Sequence, residues 1–387
     1  VLAVRIDDRW RTNRFDTEGE DITGMIAQPL TNIRRPFMNY AQIKQRYLCG
    51  IDLHANSMYL KILDREGQVL YKRNMPNNFA LFKQILTPFL PDIAVGVEST
   101  FNYYWLYDGC VETGIPFYLG HAAYMKAIAG NKQKNDPLDA ETISHLMRSN
   151  LFPQAYPYPA EMRAVRDLLR RRHRLVRHRS EAYTHVQLLL RQQGICNFRG
   201  KDVKSISGKQ QILKSIPDPD VYYLVNSDMV LIDQLDRLLS EKEKHIKERA
   251  YHHNGTDYSL LKSVTGVGDM LALSILYETH DINRFPNVQN YASYCRVIRV
   301  QRTSAGKNKY GRNQKMGNPY LKWAYGQIIT HARQSSERIN AYYQKLEAKR
   351  CAKLARGIIS HKFAVAVYHM LKKKVAFDED RFLKVAS

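Results

Sequence analysis

Two apolar runs, Tyr47-Leu48-Cys49-Gly50-Ile51 and Ile93-Ala94-Val95-Gly96-Val97, each stop at a single carboxylate, Asp52 and Glu98. Runs this short and this free of charge read as strands buried on both faces, and a sheet buried on both faces needs helices on either side. The surrounding sequence supplies them. Ser57–Leu63 alternates, turns at Asp64-Arg65-Glu66-Gly67 and continues into Gln68–Lys72 as a hairpin, while Pro116–Leu119 reads as a further strand. Helices are predicted around Phe79–Leu86 and Tyr103–Glu112. The pattern is that of an α/β domain with a mixed or parallel sheet.

Carboxylates at the ends of such strands fall at a common sheet edge, where ligands of α/β proteins usually bind. A third acidic island, Asn135-Asp136-Pro137-Leu138-Asp139, places two acids three apart, on one face of a helix. Together Asp52, Glu98, Asp136 and Asp139 offer the oxygen donors that one or two Mg²⁺ ions take, with Mn²⁺ as the alternative ion. Capping also accounts for the last pair: Asp136-Pro137 reads as an N-cap followed by proline at the first helical position, with Asp139 a favourable first-turn acid.

The rest of the chain is basic. With 59 Lys+Arg against 37 Asp+Glu, the formal charge of +22 over 387 residues points to a polyanion, nucleic acid before membrane. No apolar run approaches the ~20 residues that span a bilayer, so a cytoplasmic location is expected. Cys49, Cys110, Cys196, Cys295 and Cys351 are scattered, with no Cys-x-x-Cys spacing, and support neither a disulfide framework nor a zinc site. Residues 1–37 hold no Lys and balance Arg against acid, unlike the remainder, and read as an extension or arm.

From Ala160 onward the period becomes helical. Val165, Leu168, Leu169, Leu175, Val176, Val186 and Leu190 form one stripe and Leu224 to Ile246 a second, predicting an antiparallel helical hairpin or coiled coil over roughly 160–250, joined by a loop-rich Gly194–Pro219. Between Arg163 and Arg179 eight arginines stand against one acid, Asp167, so Arg170, Arg171, Arg174 and Arg177 are read as phosphate contacts. Further on, Leu260 to Leu271 has the form of a helix, a Gly266-Val267-Gly268 turn and a second helix, a backbone geometry that suits phosphate as well as a ligand-free turn. No Asp or Glu occurs between Asp281 and Glu337, whereas Arg302, Lys307, Lys309, Arg312 and Lys315 do. Ser304 lies inside that field, on the small-residue stretch Thr303-Ser304-Ala305-Gly306 read as a loop, where cations would favour its alkoxide. A serine there is equally an ordinary turn residue, and Thr303 is a lesser candidate.

The order of these motifs resembles the DEDD insertion-sequence transposases, the family of the pilin-inverting and bridge-RNA-guided recombinases. The pieces are Gly50-Ile51-Asp52-Leu53-His54, Val97-Glu98-Ser99-Thr100, Lys134 to Ala140, Leu261 to Gly268, and Thr303 to Gly306 followed by Gln314 to Lys322. The resemblance runs from Tyr47 to about Phe382. It departs at Ala305, Asn135 and Gln314, which replace residues common in relatives.

Residues 1–45 are expected to be an N-terminal extension, the family having no counterpart for residues 1–37, and the resemblance implies an RNase-H-like (RuvC-like) DEDD domain over 46–157. It further implies a coiled-coil segment over 158–256 and a mainly α transposase domain with a helix-hairpin-helix over 257–387. Asp52, Glu98, Asp136 and Asp139 match the family acids, and Ser304 matches the serine that becomes linked to DNA. Donor and target DNA, a structured guide (bridge) RNA, a homo-oligomer (dimer or tetramer) and no nucleotide cofactor are implied likewise. The expected activity is RNA-guided DNA strand exchange. The alternatives are a junction-resolving nuclease using water with the same acids, and a nucleic-acid-binding protein whose acids only cap and balance the fold.

Overall fold

The structure, a computed structural model, describes residues 39–129, 135–200, 202–250, 253–298, 300–304, 307–311 and 316–384. The expectations for residues 1–37, Arg312 and Lys315 lie outside the described residues.

Five strands, β1 (Tyr47–Leu53), β2 (Ser57–Leu63), β3 (Val69–Pro76), β4 (Ile93–Glu98) and β5 (Phe117–Gly120), form one sheet in the order β3-β2-β1-β4-β5. β1, β4 and β5 run parallel, and β2 and β3 continue antiparallel from β1. Alternation along the strands sorts the side chains. Cys49, Ile51, Ile93, Val95 and Val97 face a core closed by Phe82 and Leu86 of α1 (Phe79–Leu86) and by Leu106 and Cys110 of α2 (Tyr104–Glu112). Leu48 and Ala94 face the other way, onto Met125 of α3 (Ala122–Ala129), Phe152, and Ile143, Leu146 and Met147 of α4 (Asp136–Arg148). Ala41 and Ile43 are buried in that second core, and Ala41 N donates to Phe152 O at 3.0 Å. The expected α/β arrangement is present, with helices on both faces.

Beyond it, α5 (Ala160–Gln192) and α7 (Pro219–Ala250) pack side by side. The pairs Arg172–Glu243, Arg179–Asp236 and His185–Asp228 ascend one helix while descending the other, so the two are antiparallel. Their 33 and 32 residues make an arm about 50 Å long. Its seam is apolar, with Leu175 against Leu235 and Leu239 and, nearer the tip, Val186 and Leu190 among Val225, Met229 and Ile232. The loop-rich link expected between these helices contains α6 (Ile206–Lys214), which buries Ile212 in the tip. Its helical signal is weak in sequence because it is short and contains Gly208, but Ser205 caps it by accepting from Gly208 N at 3.1 Å.

The C-terminal part is mainly helical: α8 (Gly255–Lys262), α9 (Asp269–Thr279), α10 (Val288–Tyr294), α11 (Pro319–Ser335), α12 (Glu337–Lys349), α13 (Ala352–Lys373) and α14 (Glu379–Lys384). Its core gathers around Ile359, Phe363 and Val367 of α13 and takes in Met162, Val165 and Leu169 from α5 and Ile246 and Ala250 from α7. The arm is therefore rooted in this core. Between α10 and α11 a two-stranded hairpin, β6 (Val300–Ser304) and β7 (Lys307–Gly311), stands apart from the main sheet. Among the described residues no helix is long and apolar enough to cross a membrane.

Candidate active site

The acid site is built by two glycines. A Cβ on Gly50 would lie 2.3 Å from Ala140 O and 2.4 Å from Ser144 Oγ, and one on Gly96 would lie 2.3 Å from Met147 Sδ. At Gly50 only glycine lets the backbone of α4 lie directly on β1, whereas at Gly96 a side chain would have to displace the flexible Met147. Two residues further along each strand, on the same face, come Asp52 and Glu98. The parallel register sets Ile51 opposite Val97, so the next step brings Asp52 and Glu98 side by side at the sheet edge. That edge is also where α4 begins, four residues before Ala140.

Asn135, not Asp136, caps α4: its side chain accepts from Leu138 N at 3.0 Å. The cap is thus supplied one residue earlier than the capping explanation of Asp136 requires, and Asp136 is left as the first helical residue. Its carboxylate instead meets His54, whose Nε2 lies 3.3 Å from Asp136 Oδ1 and 3.2 Å from Asp52 Oδ2. Asp52, His54 and Asp136 place one donor atom each within 4.8 Å of one another, the one such group among the described residues. Asp139 follows on the first turn of α4, half-buried. His54 was not singled out from the sequence, although it stands two residues past Asp52 and so on the same side of an extended chain.

Polar contacts beneath the acids hold α4 in place. Gly50 N donates to Ser144 Oγ at 2.8 Å, and Ser144 Oγ donates to Lys61 O at 3.0 Å. The buried Lys61 ammonium pairs with Glu141 at 2.7 Å and holds that carboxyl below its usual range. All five cysteines are free.

Ser304 ends β6 and pairs with Lys307 across the hairpin tip, so the expected loop is a strand end there. Arg302, Lys307 and Lys309 are placed by their backbone on the same two strands, Arg302 opposite Lys309. Gly266 and Gly268 lie between α8 and α9. Gly266 has φ +84°, and a Cβ there would sit 2.4 Å from Ala332 N on α11. Close packing against α11 is therefore one demonstrated reason for glycine at this turn. Gly268 caps α9 without a side-chain bond, and nothing lies within 4 Å of its Cβ direction.

The arginine stripe divides. Arg163 forks onto Asp108 of α2 at 2.6 and 2.8 Å, and Arg166 and Arg170 converge on Glu278 of α9. Arg177 pairs with Glu181 on its own helix. Arg171 and Arg174 are exposed and form no ion pair among the described residues. The acids that meet Arg163, Arg166, Arg170, Arg172 and Arg179 come from other elements, which is why the stripe looks unpaired when α5 is read alone.

Comparison with known proteins bears on both halves of this arrangement. A DEDD family model described as "Transposase" matches residues 49–194, which include all four acids. A second model, the "Transposase IS116/IS110/IS902 family", matches residues 258–344, which include Gly266, Gly268 and Ser304. The chain is 21% identical over 344 residues to the transposase for insertion sequence element IS1111A of Coxiella burnetii, covering 87% of this chain and 92% of that protein. It is 22% identical over 342 residues to a probable family 20 transposase of Pseudomonas aeruginosa, covering 85% and 97%. It is 23% identical over 339 residues to the transposase for insertion sequence element IS1328 of Yersinia enterocolitica, covering 85% and 94%. With both family models matched in order and the relatives aligned over most of their length, the chain belongs to the DEDD insertion-sequence transposase family.

Proposed function

We propose that this chain is the transposase of an insertion sequence, a site-specific recombinase that cuts DNA strands and rejoins them to new partners. The observation that carries the reading is the convergence of Asp52 and Asp136 on His54 at the sheet edge, beside Glu98, after the cap of α4 has been supplied by Asn135. Two carboxylates and an imidazole within 4.8 Å fit a divalent cation. Asp52, Glu98, Asp136 and Asp139 would hold Mg²⁺, or Mn²⁺ in its place, with His54 beside them. Bound there, the metal would polarise the scissile phosphate and offset its developing charge.

In this reading residues 46–157 are an RNase-H-like (RuvC-like) domain, 158–256 a coiled-coil segment, and 257–387 a transposase domain with a helix-hairpin-helix at Gly266 and Gly268. The Ser304 hydroxyl attacks phosphorus, gives up its proton and forms a phosphoserine ester as one strand end departs as a hydroxyl. Attack by the hydroxyl of another strand reverses the exchange, and conserving the ester makes a nucleotide cofactor unnecessary. Donor and target DNA are bound through Arg302, Lys307, Lys309, Arg312 and Lys315 and through the arm residues Arg171, Arg174 and Arg177. A structured RNA pairs with both, and the protein works as a homo-oligomer in the cytoplasm.

The test is denaturing electrophoresis of end-labelled DNA carrying the element's own ends, incubated with the RNA transcribed beside the gene and Mg²⁺. A protein–DNA adduct in the wild type that disappears in Ser304→Ala is expected. Adduct persisting in Ser304→Ala but lost in Thr303→Ala would move the nucleophile one residue back, and cleavage with no adduct would replace the recombinase by a nuclease that uses water.

A further inference from the structure

The hairpin that carries Ser304 enters and leaves the helical body at a single point. α10 ends at Tyr294 shortly before β6, and Asn318 caps α11 shortly after β7. These two roots are joined directly: Asn318 N donates to Tyr294 O at 2.6 Å, and Asn318 Nδ2 lies 3.3 Å from Tyr294 Oη. Gly317, at φ +85°, permits the approach, since a Cβ there would lie 2.5 Å from Tyr294 O. The Asn318 side-chain oxygen, Oδ1, is used for capping, accepting from Tyr320 N at 2.9 Å and Leu321 N at 3.2 Å. Its amide therefore remains free to donate elsewhere, and it does so to Glu278 Oε2 at 2.7 Å.

Glu278 is 2% exposed, and the same carboxylate takes the base of the arm: Arg166 Nε at 3.0 Å, and Arg170 Nε at 2.6 Å and Nη2 at 2.9 Å. Its main-chain oxygen accepts from Tyr158 Oη at 2.7 Å, on the segment leading into α5. One buried acid thus holds two cations of the arm and the amide at the hairpin root. The cap of α11 does not use the Asn318 amide, and Glu278, besides meeting the arginines, gives that buried donor its acceptor, so the arm and the hairpin root share one anchor.

We infer that Glu278, acting through Asn318, is a positioning residue that fixes the direction of the β6–β7 hairpin and hence of Ser304. The inference rests on Ser304 being the attacking group. β6 has five residues and Ser304 is its last, so the serine sits about 13 Å along the strand from its start. A tilt of about 5° at the root moves the far end of such a lever by about 1 Å, and a misplacement of about 1 Å in a reacting group costs on the order of a hundredfold in rate. A single hydrogen bond at the root has that much leverage on the chemistry.

The informative variant is Asn318→Ser, whose hydroxyl keeps the cap of α11 but cannot reach Glu278. Its single-turnover adduct formation is compared with wild type on the labelled DNA, RNA and Mg²⁺ described above, alongside DNA binding and thermal unfolding. The expected result is wild-type binding, unfolding within a few degrees of wild type, and an unchanged final amount of adduct reached roughly ten to a hundred times more slowly. Glu278→Gln, which keeps the shape but removes the charge, should slow the same step. A wild-type rate in Asn318→Ser overturns the inference, as does a smaller amount of adduct formed at the wild-type rate, because that reports only a loss of folded protein. Cleavage without adduct in the wild type overturns the role of Ser304 and this inference with it.

Discussion

At the sheet edge, backbone contact sets the geometry: α4 lies on Gly50 and Gly96, and the acids follow from the strand register and the first turn of the helix. At the hairpin root, the geometry depends on a buried charge, Glu278, shared by Arg166, Arg170 and Asn318. The first arrangement is local and steric, while the second joins α5, α9 and α11 across the molecule. A metal site with fixed carboxylates suits the former. If Ser304 is the attacking group, the latter would set its aim, because the direction of a strand hairpin can change without unfolding the body.

The largest expected effect lies at the acids. Asp52→Ala removes a carboxylate that faces His54, so strand cleavage should fall by on the order of a thousandfold or more while thermal unfolding stays close to wild type. Unfolding at a much lower temperature would show instead that Asp52 holds the edge together.

Glu278→Leu should do the reverse, with stability as its first loss. It strands Arg166 and Arg170 beside an apolar side chain and should cost about 3–5 kcal/mol in denaturant unfolding. Burial alone would raise the Glu278 carboxyl, but Arg170, Arg166 and Asn318 outweigh it and hold its pKa below the usual value. The contribution is therefore fully present above the ordinary glutamate range and lost as pH falls through the depressed native value. Wild type should lose stability below about pH 4.3 more steeply than Glu278→Gln. Equal acid sensitivity would remove Glu278 as the anchor.

Gly50→Ala is expected to cost about 1–3 kcal/mol and to weaken metal binding together with stability, since α4 must lift off β1. Loss of stability with wild-type metal binding would separate α4 packing from the acids.

The smallest effects belong to the arm. Arg171→Ala and Arg174→Ala should each reduce the salt dependence of nucleic-acid binding by roughly one unit of slope, whereas Arg170→Ala should lower stability and leave the slope alone. An equal slope change in all three would mean that the Glu278 pair opens when nucleic acid binds.

The two regions also differ in how far the sequence reveals them. A lone acid closing an apolar run is visible in one dimension, and so Asp52, Glu98 and the α/β sheet were legible. Four of the five strands and helices α1 and α2 fall close to where periodicity puts them. The glycines beneath the acids were not interpretable, because the helix that requires them arrives from residues 136–148. Asn135 and Asp136 are both capping types and adjacent, so only the hydrogen bond to Leu138 N distinguishes cap from ligand. Glu278 left little trace beyond being an acid in the apolar helix α9. Its partners lie on α5 and at the start of α11, and the arginines that meet it read as a nucleic-acid face until they are seen paired.

The claim that these acids form a working metal site, and do not simply start a helix, is tested most directly at Asp136. Asp136→Asn leaves the Asn135 cap and Pro137 intact and removes one charge facing His54. Wild-type and variant protein are titrated with Mn²⁺ while thermal unfolding and adduct formation on labelled DNA with the guide RNA are followed. The account predicts that Mn²⁺ raises the unfolding temperature and drives adduct formation in the wild type, and that Asp136→Asn, folded and binding DNA, loses both responses. Adduct formation in Asp136→Asn at the wild-type rate, with the same dependence on Mn²⁺, would contradict it.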